Sequence, residues 1–196
     1  MTAVSGSVRR APEQLGEQFE QVLAAAQSGG GWAAERLWTS LAPAVAGYLR
    51  VQGAADPDDV TSEVFLGVFR SLASFSGGEE QFRSWVFTIA HRRLVDDRRS
   101  AGRRPRLAPG SETDDAASAP SAEHEALQRL GRDRVRQLCE HLVPDQRDVL
   151  LLRLVGGLTV DEVAGALGKS SGAVKALQRR GLGALRKILE REGVPL

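Results

Sequence analysis

The chain has one cysteine and no long apolar run, and these scarcities exclude several classes of protein. Cys139 cannot form an internal disulfide, and its position in VRQLCEHLV predicts a small buried side chain rather than a redox thiol. No apolar stretch approaches the roughly 18 residues that span a bilayer. The first residues, MTAVSGSVRRAPEQ, lack the apolar centre of a secretory signal. We therefore expect a cytoplasmic protein without membrane insertion.

Patterns for catalysis, metals and nucleotides are also missing. The histidines at 91, 124 and 141 fall in separate predicted helices without metal-ligand spacing, and no Ser-His-Asp pattern is apparent. The run GKS at 168–170 looks like the end of a phosphate-binding loop, but that motif needs a preceding strand and a glycine where Val163 stands. The sequence thus predicts no enzyme activity, no cofactor and no metal site.

Helical periodicity runs along most of the chain and predicts an all-α fold of two small helical domains joined by a flexible linker. No alternating apolar and polar run is long enough to indicate a strand. The segment SAGRRPRLAPGSETDDAASAPSAE has three prolines and almost nothing to bury, which is typical of a mobile linker. The predicted organisation is a disordered segment 1–16, a domain over 17–100, a linker over 101–120 and a second domain over 121–196.

The second domain carries the pattern of a helix-turn-helix. Thr159 and Glu162 are spaced as a capping box that opens a short helix, and Gly168 is placed to form the left-handed turn that ends it. Ser170 is then placed to cap the next helix, which in this motif lies in the major groove. An ordinary helical hairpin with a basic solvated face is the alternative interpretation.

Basic residues concentrate in two places, although the formal net charge is only +1. Eight arginines lie between residues 83 and 106 against two aspartates, and seven lysines and arginines follow residue 168 against two glutamates. Each cluster alone could be a solvated helix face. Two clusters, each beside an apolar stripe, favour two contacts with one polyanion such as DNA.

Three segments together resemble bacterial sigma factors of the small extracytoplasmic-function type, over roughly residues 17–191. DPDDVTSEVFLGVFRSLASF is similar to that family's helix for binding core RNA polymerase. FRSWVFTIAHRRLVDDRRS is similar to its promoter-melting, minus-ten-reading helix, and LTVDEVAGALGKSSGAVKALQRRGLGALRKIL to its minus-thirty-five-reading motif. Each segment alone is a weak signal, but their order and spacing are specific to the family.

The resemblance implies a role for each segment. It implies that an acidic face and an adjacent apolar residue contact core polymerase. The alternative interpretation of the acidic face is an ordinary solvated helix face. It implies minus-ten contacts by aromatic and basic residues, although Phe82 and Trp85 can equally be core residues. The candidate residues are Asp58, Asp59, Glu63 and Phe65 for polymerase; Phe82, Arg83, Trp85, His91, Arg92 and Arg98 for the minus-ten element; and Ser170, Ser171, Lys175, Gln178 and Arg179 for the minus-thirty-five element.

The resemblance also implies partners: core RNA polymerase, promoter DNA and, as is typical of the family, an anti-sigma factor. The linker either only tethers the domains or imitates nucleic acid with its acidic SETDD run. Gly181 and Gly183 depart from a good helix sequence and predict that the carboxy-terminal half of the last helix is frayed in isolation. Two rival functions are a stand-alone helix-turn-helix regulator with a sensing or dimerisation domain, and a polymerase adaptor that does not read DNA.

Overall fold

The computed structural model describes residues 15–101 and 134–193, and helices are the only regular elements in these ranges. This confirms the all-α prediction. Most of the predicted segment 1–16, most of the linker 101–120 and the start of the helix expected near 121 lie outside the described residues. The helices are α1 (Phe19–Gln27), α2 (Gly31–Val51), α3 (Pro57–Ser71), α4 (Glu79–Ala101), α5 (134–140), α6 (Pro144–Leu154), α7 (Val160–Leu167) and α8 (Ser171–Arg191).

Helices α1 to α4 form the amino-terminal domain (residues 15–101), in which α3 packs between α2 and α4. The start of α3 follows from its sequence: the Asp56 carboxylate accepts the backbone N–H groups of Asp58 and Asp59 at 3.2 and 2.9 Å, and Pro57 is the first helical residue. Along α3, buried valines recur every fourth residue and fix the face that packs into the core: Val60, Val64 and Val68.

The carboxy-terminal domain (residues 134–193) contains the predicted helix-turn-helix, α7 and α8. The capping box is present, because Thr159 Oγ1 accepts the N–H of Glu162 at 3.2 Å while the Glu162 carboxylate accepts the N–H of Thr159 at 2.7 Å. Gly168 ends α7 in the left-handed region with φ of 62°. Ser170 then caps α8 by accepting the N–H of Ala173 at 3.2 Å. These four sequence signals act locally, so they set the boundaries of both helices.

In the folded chain, α8 continues through Gly181 and Gly183 to Arg191, so fraying of its carboxy-terminal half in isolation stays a prediction. Gly181 is buried where α8 crosses α6, and a Cβ atom there would lie 2.8 Å from Leu150 Cδ1 and 3.3 Å from Gln146 Cβ. The glycine therefore allows the two helices to approach closely. A Cβ atom at Gly183 would have nothing within 4 Å.

The two glycines are expected to respond in opposite ways to alanine. Gly181→Ala should lower the free energy of unfolding by about 1–2 kcal/mol, because overpacking at the α6–α8 crossing outweighs the gain in helix propensity. Gly183→Ala should raise it by about 0.5–1 kcal/mol, since only the propensity changes. Chemical denaturation followed by far-ultraviolet circular dichroism measures both. Equal effects of the two substitutions would contradict the close approach at Gly181.

The two domains are in contact in this structure. Leu152 and Leu158 of the carboxy-terminal domain belong to the same buried apolar cluster as Phe87 of α4. Helix α4 also packs against α7, the first helix of the helix-turn-helix. The sequence predicted two separate domains on a linker and gave no indication of this contact.

Candidate functional site

An acidic stripe runs along the exposed face of α3. Asp59, Glu63 and Leu66 are spaced as neighbours on one helix face, and all three are exposed, Leu66 to 56%. Asp58 is also exposed, and its carboxylate lies 3.3 Å from the guanidinium of Arg50. An apolar side chain among carboxylates is suited to docking on a basic protein surface that has an apolar centre.

Phe65, the fourth residue expected on this surface, is fully buried instead. Its ring packs against Trp38 at a centroid distance of 4.7 Å and against Phe69 at 5.9 Å. It supports α3 from beneath, so in this conformation it cannot touch a partner. Sequence reasoning missed Leu66, although its place seven residues after Asp59 puts it on the exposed stripe.

The aromatic candidates on α4 divide between core and surface. Phe82 is 1% exposed and packs against Phe19 at 5.6 Å and Phe75 at 5.4 Å, as expected of a core residue. Trp85 is only partly buried and stacks on Phe75 with 5.0 Å between centroids and 24° between planes. Of the two, Trp85 alone has a partly exposed ring available to a base.

Arg83 is directed at the carboxy-terminal domain. Its Nε donates to the carbonyl of Gly156 at 2.9 Å, and its Nη2 donates to the carbonyl of Val155. The guanidinium also lies over the ring of Phe87, 5.4 Å from the centroid. Burial lowers the pKa of Arg83, and the negative charge of Glu79 partly offsets this by raising it. The guanidinium nevertheless stays protonated.

Two more minus-ten candidates belong to a polar network beside the domain contact. His91 is 6% exposed, and its Nδ1 lies 2.9 Å from the hydroxyl of Tyr48. Burial lowers the pKa of His91, with Arg98 acting in the same direction and Asp148 opposing it. Arg98 donates to the Gln52 backbone carbonyl at 2.6 Å and to its side-chain oxygen at 3.1 Å. Arg83, His91 and Arg98 each have a hydrogen-bond partner within the protein. Arg92 is the remaining basic candidate on α4, and its side chain is exposed.

The candidates on α8 occupy its amino-terminal half. Ser170 is used as the helix cap, and Ser171 donates to the Asp161 carboxylate at 2.6 Å. Lys175 and Arg179 are exposed, and Gln178 between them is partly exposed. The spacing of these three places them on neighbouring positions of one outer face, while Val174 and Leu177 pack inward. This is the face that a recognition helix presents to the major groove.

Comparison with known proteins matches two regions of the chain. The family described as Sigma-70 region 2 matches residues 37–104, and the family described as Sigma-70, region 4 matches residues 132–185. The ECF RNA polymerase sigma factor BldN of Streptomyces coelicolor is 31% identical over 183 residues, which cover 92% of this chain and 69% of BldN. The chain belongs to the extracytoplasmic-function (ECF) sigma factors. It is an alternative sigma factor, which binds core RNA polymerase and directs promoter-specific initiation of transcription.

A second relative agrees with this, and a solved structure shares the fold. The ECF sigma factor SigD of Mycobacterium tuberculosis is 31% identical over 174 residues, which cover 85% of this sigma factor and 82% of SigD. The structure of CnrH in complex with the cytosolic domain of CnrY superimposes with a TM-score of 0.62 at 24% identity, over 89% of this chain and 99% of the other. That likeness concerns the fold. Within the described residues of this sigma factor, no helix has the length and apolar character of a membrane span.

Proposed function

We propose that this sigma factor docks on core polymerase through the exposed stripe of α3, Asp59, Glu63 and Leu66, with Asp58 at its edge. The support is that these side chains are exposed together on one face, whereas the valines of the same helix are buried. Charged groups at the rim of such a surface steer a basic partner into place. Phe65 contributes by holding α3 on α2.

Promoter contact is assigned to α4 and α8. On α4, Trp85 provides a partly exposed ring on which an unstacked base can lie, and Arg83, Arg92 and Arg98 provide charge for the phosphates of the separated strand. On α8, Lys175, Gln178 and Arg179 face the upstream duplex. The observation that carries the assignment of α8 is the α7–α8 geometry, with a capping box, a left-handed glycine and a polar outer face in sequence.

We also propose the bounds of the functional units as 17–100 and 121–196, joined by 101–120. The matches of two family models, within or close to these ranges, support this division. We further propose that the chain has no catalytic activity of its own. It acts in the cytoplasm, where RNA polymerase is. CnrH was solved with the cytosolic domain of CnrY, and we infer a protein partner of that kind, an anti-sigma factor, for this chain also.

Transcription with purified core polymerase tests the proposal. A promoter library should yield promoter-specific transcripts only when this protein is added, and the free protein should bind promoter duplex far more weakly than the polymerase complex does. The reason is that two small surfaces on a linker gain little from each other until polymerase fixes their separation. Tight, sequence-specific binding by the free protein, without initiation, would instead support a stand-alone regulator.

A further inference from the structure

The end of α1 holds the segment that joins α3 to α4. Gln27, the last residue of α1, donates from Nε2 to two backbone carbonyls of that segment, Leu72 at 3.0 Å and Phe75 at 2.8 Å. Phe75 lies between helices, so its carbonyl has no donor from a helix of its own. One side-chain amide therefore fixes the backbone that carries the Phe75 ring.

A second pair of hydrogen bonds holds the other end of this segment. The Glu79 carboxylate, in the first turn of α4, accepts the backbone N–H of Leu15 at 2.6 Å and that of Gly16 at 2.9 Å. Hydrogen bonds to an ionised carboxylate are shorter and stronger than neutral ones. The loop of residues 75–78 is thus anchored at both ends by residues 15–27, which lie 45 to 64 positions away along the chain.

Between the two anchors the loop folds tightly against its own aromatic ring. Gly77 has φ of 145°, a backbone conformation that favours glycine. A Cβ atom there would lie 3.3 Å from Phe75 Cζ and 3.1 Å from Gln81 Cβ. The N–H of Gly78 donates to Gln81 Oε1 at 3.1 Å. A shift of the loop backbone therefore also moves the Phe75 ring.

The Phe75 ring belongs to a row of aromatic contacts that ends on Trp85. Phe75 stacks on Trp85 with 5.0 Å between centroids and meets Phe82 edge-on at 5.4 Å. Phe82 in turn contacts Phe19 of α1 at 5.6 Å. Phe19 and Phe82 are buried, whereas Trp85 is partly exposed. Since stacked rings orient one another, the position of Phe75 sets the orientation of Trp85.

We propose that Gln27 and Glu79 are positioning residues for promoter reading: they fix the 75–78 loop and so hold the Trp85 ring where an unstacked base of the minus-ten strand can lie. This inference rests on the proposed function, because it needs Trp85 to be the ring that meets the base. A ring that is already held in place loses less freedom when a base stacks on it, so the anchors strengthen stacking.

Helix α1 thereby gains a part in promoter selection, although it makes none of the proposed contacts with polymerase or DNA. Gln27 precedes the stretch that matches Sigma-70 region 2, residues 37–104. Its support of the loop is therefore a feature of this chain outside the matched stretch.

Two substitutions each remove one anchor with little change in size. In Gln27→Glu a carboxylate replaces the amide, so the donor is lost and negative charge faces two carbonyls. In Glu79→Gln one accepting oxygen becomes an N–H₂ group that faces an N–H donor. Gln21→Glu in α1 and Glu80→Gln in α4 are the matched controls, because both side chains are exposed.

Fluorine NMR of the full chain, labelled with fluorotryptophan, reports on the ring directly. The chain has three tryptophans, and Trp85→Phe and Trp38→Phe assign the two signals that decide the test. In both anchor variants the Trp85 signal should shift or broaden, because its stack with Phe75 is released. The Trp38 signal depends on packing against Phe65 and should not move. The control variants should leave both signals unchanged.

Transcription with core polymerase, on promoters varied one minus-ten position at a time, measures the consequence. Trp85→Ala should relax base preference at the position that the ring meets. Each anchor variant should relax preference at that same position by about three- to tenfold, because part of the stacking is lost. Preference is a ratio between templates, so a general loss of active protein cancels. Preferences at the upstream positions proposed for α8 should stay as in the parent protein.

An unmoved Trp85 signal in both anchor variants would overturn the positioning role, and so would a uniform loss of transcripts without a change in preference. Equal relaxation in Gln21→Glu or Glu80→Gln would also overturn it, since charge alone would then explain the effect. If Trp85→Ala itself keeps every preference, the failure lies in the proposed base contact of Trp85, and the positioning role falls with it. Circular dichroism verifies the fold of each variant, and either anchor variant alone suffices for the test.

Discussion

Reversing two charges on α3 is expected to abolish transcription and core-polymerase binding while leaving the protein folded. In the Asp59→Lys, Glu63→Lys double variant, two exposed carboxylates become cations that face a basic partner. Like charges brought together at an interface cost several kcal/mol, so affinity for core polymerase should fall by at least about 100-fold. The helicity of the free protein should be unchanged.

Stability should change little because both side chains are exposed. The loss of an acidic group near the first turn of α3 costs only about 0.3–1 kcal/mol through the helix dipole. Surface plasmon resonance with purified core polymerase measures binding, and thermal unfolding verifies the fold. Glu20→Lys, Glu35→Lys is the matched control, with the same charge change on exposed positions of α1 and α2. Unimpaired core binding by a folded α3 variant would remove this helix from the interface.

The second large effect is expected on the outer face of α8. Gln178 can offer a donor and an acceptor together to a base edge, so Gln178→Ala should cost about 1–3 kcal/mol and relax preference at one upstream position. Lys175 and Arg179 can touch either bases or phosphates. Alanine at a phosphate contact should weaken binding similarly on all sequences and make its salt dependence shallower, because fewer counterions are released.

Binding and transcription are measured with the polymerase complex on promoters varied one upstream position at a time, at several salt concentrations. Arg186→Ala is the control, because Arg186 lies in the second half of α8 and pairs with Glu190 at 2.9 Å. If all three α8 variants match the parent protein on every template, this helix does not read DNA. Effects restricted to Lys175 and Arg179, and similar on all templates, would reduce its role to phosphate binding.

Features that depend on neighbouring residues could be predicted from the sequence. The Asp56 cap, the Thr159–Glu162 capping box and the left-handed turn at Gly168 involve groups a few residues apart, so the sequence holds both partners of each bond. Helical periodicity likewise predicted the buried valines of α3 and the all-α fold. The resemblance to sigma factors rested on such local segments in order, and the family comparison confirmed it.

The roles of individual side chains depended on partners distant in sequence. Phe65 and Phe82 lie in an apolar stripe that periodicity can identify, but only packing shows that they are fully covered. Gly181 was predicted to weaken α8. In the structure Leu150 of α6 lies so close to Gly181 that a side chain there would collide with it, so the glycine allows α6 and α8 to pack closely. For each of these residues the amino-acid type fits either role, and only its burial in the folded protein shows which role it has.

The contact between the domains was decided by tertiary structure alone. By itself, the sequence determined the helices, their caps, the helix-turn-helix and the family, because those depend on short-range bonds and on periodicity. Gln52 and Asp148 are 96 positions apart, and Arg83 and Gly156 are 73 apart. No local pattern encodes a bond across such a separation, since it exists only when two independently formed surfaces fit together. That is why Arg83, predicted from sequence as a phosphate contact, is found bound to the carbonyls of its own chain.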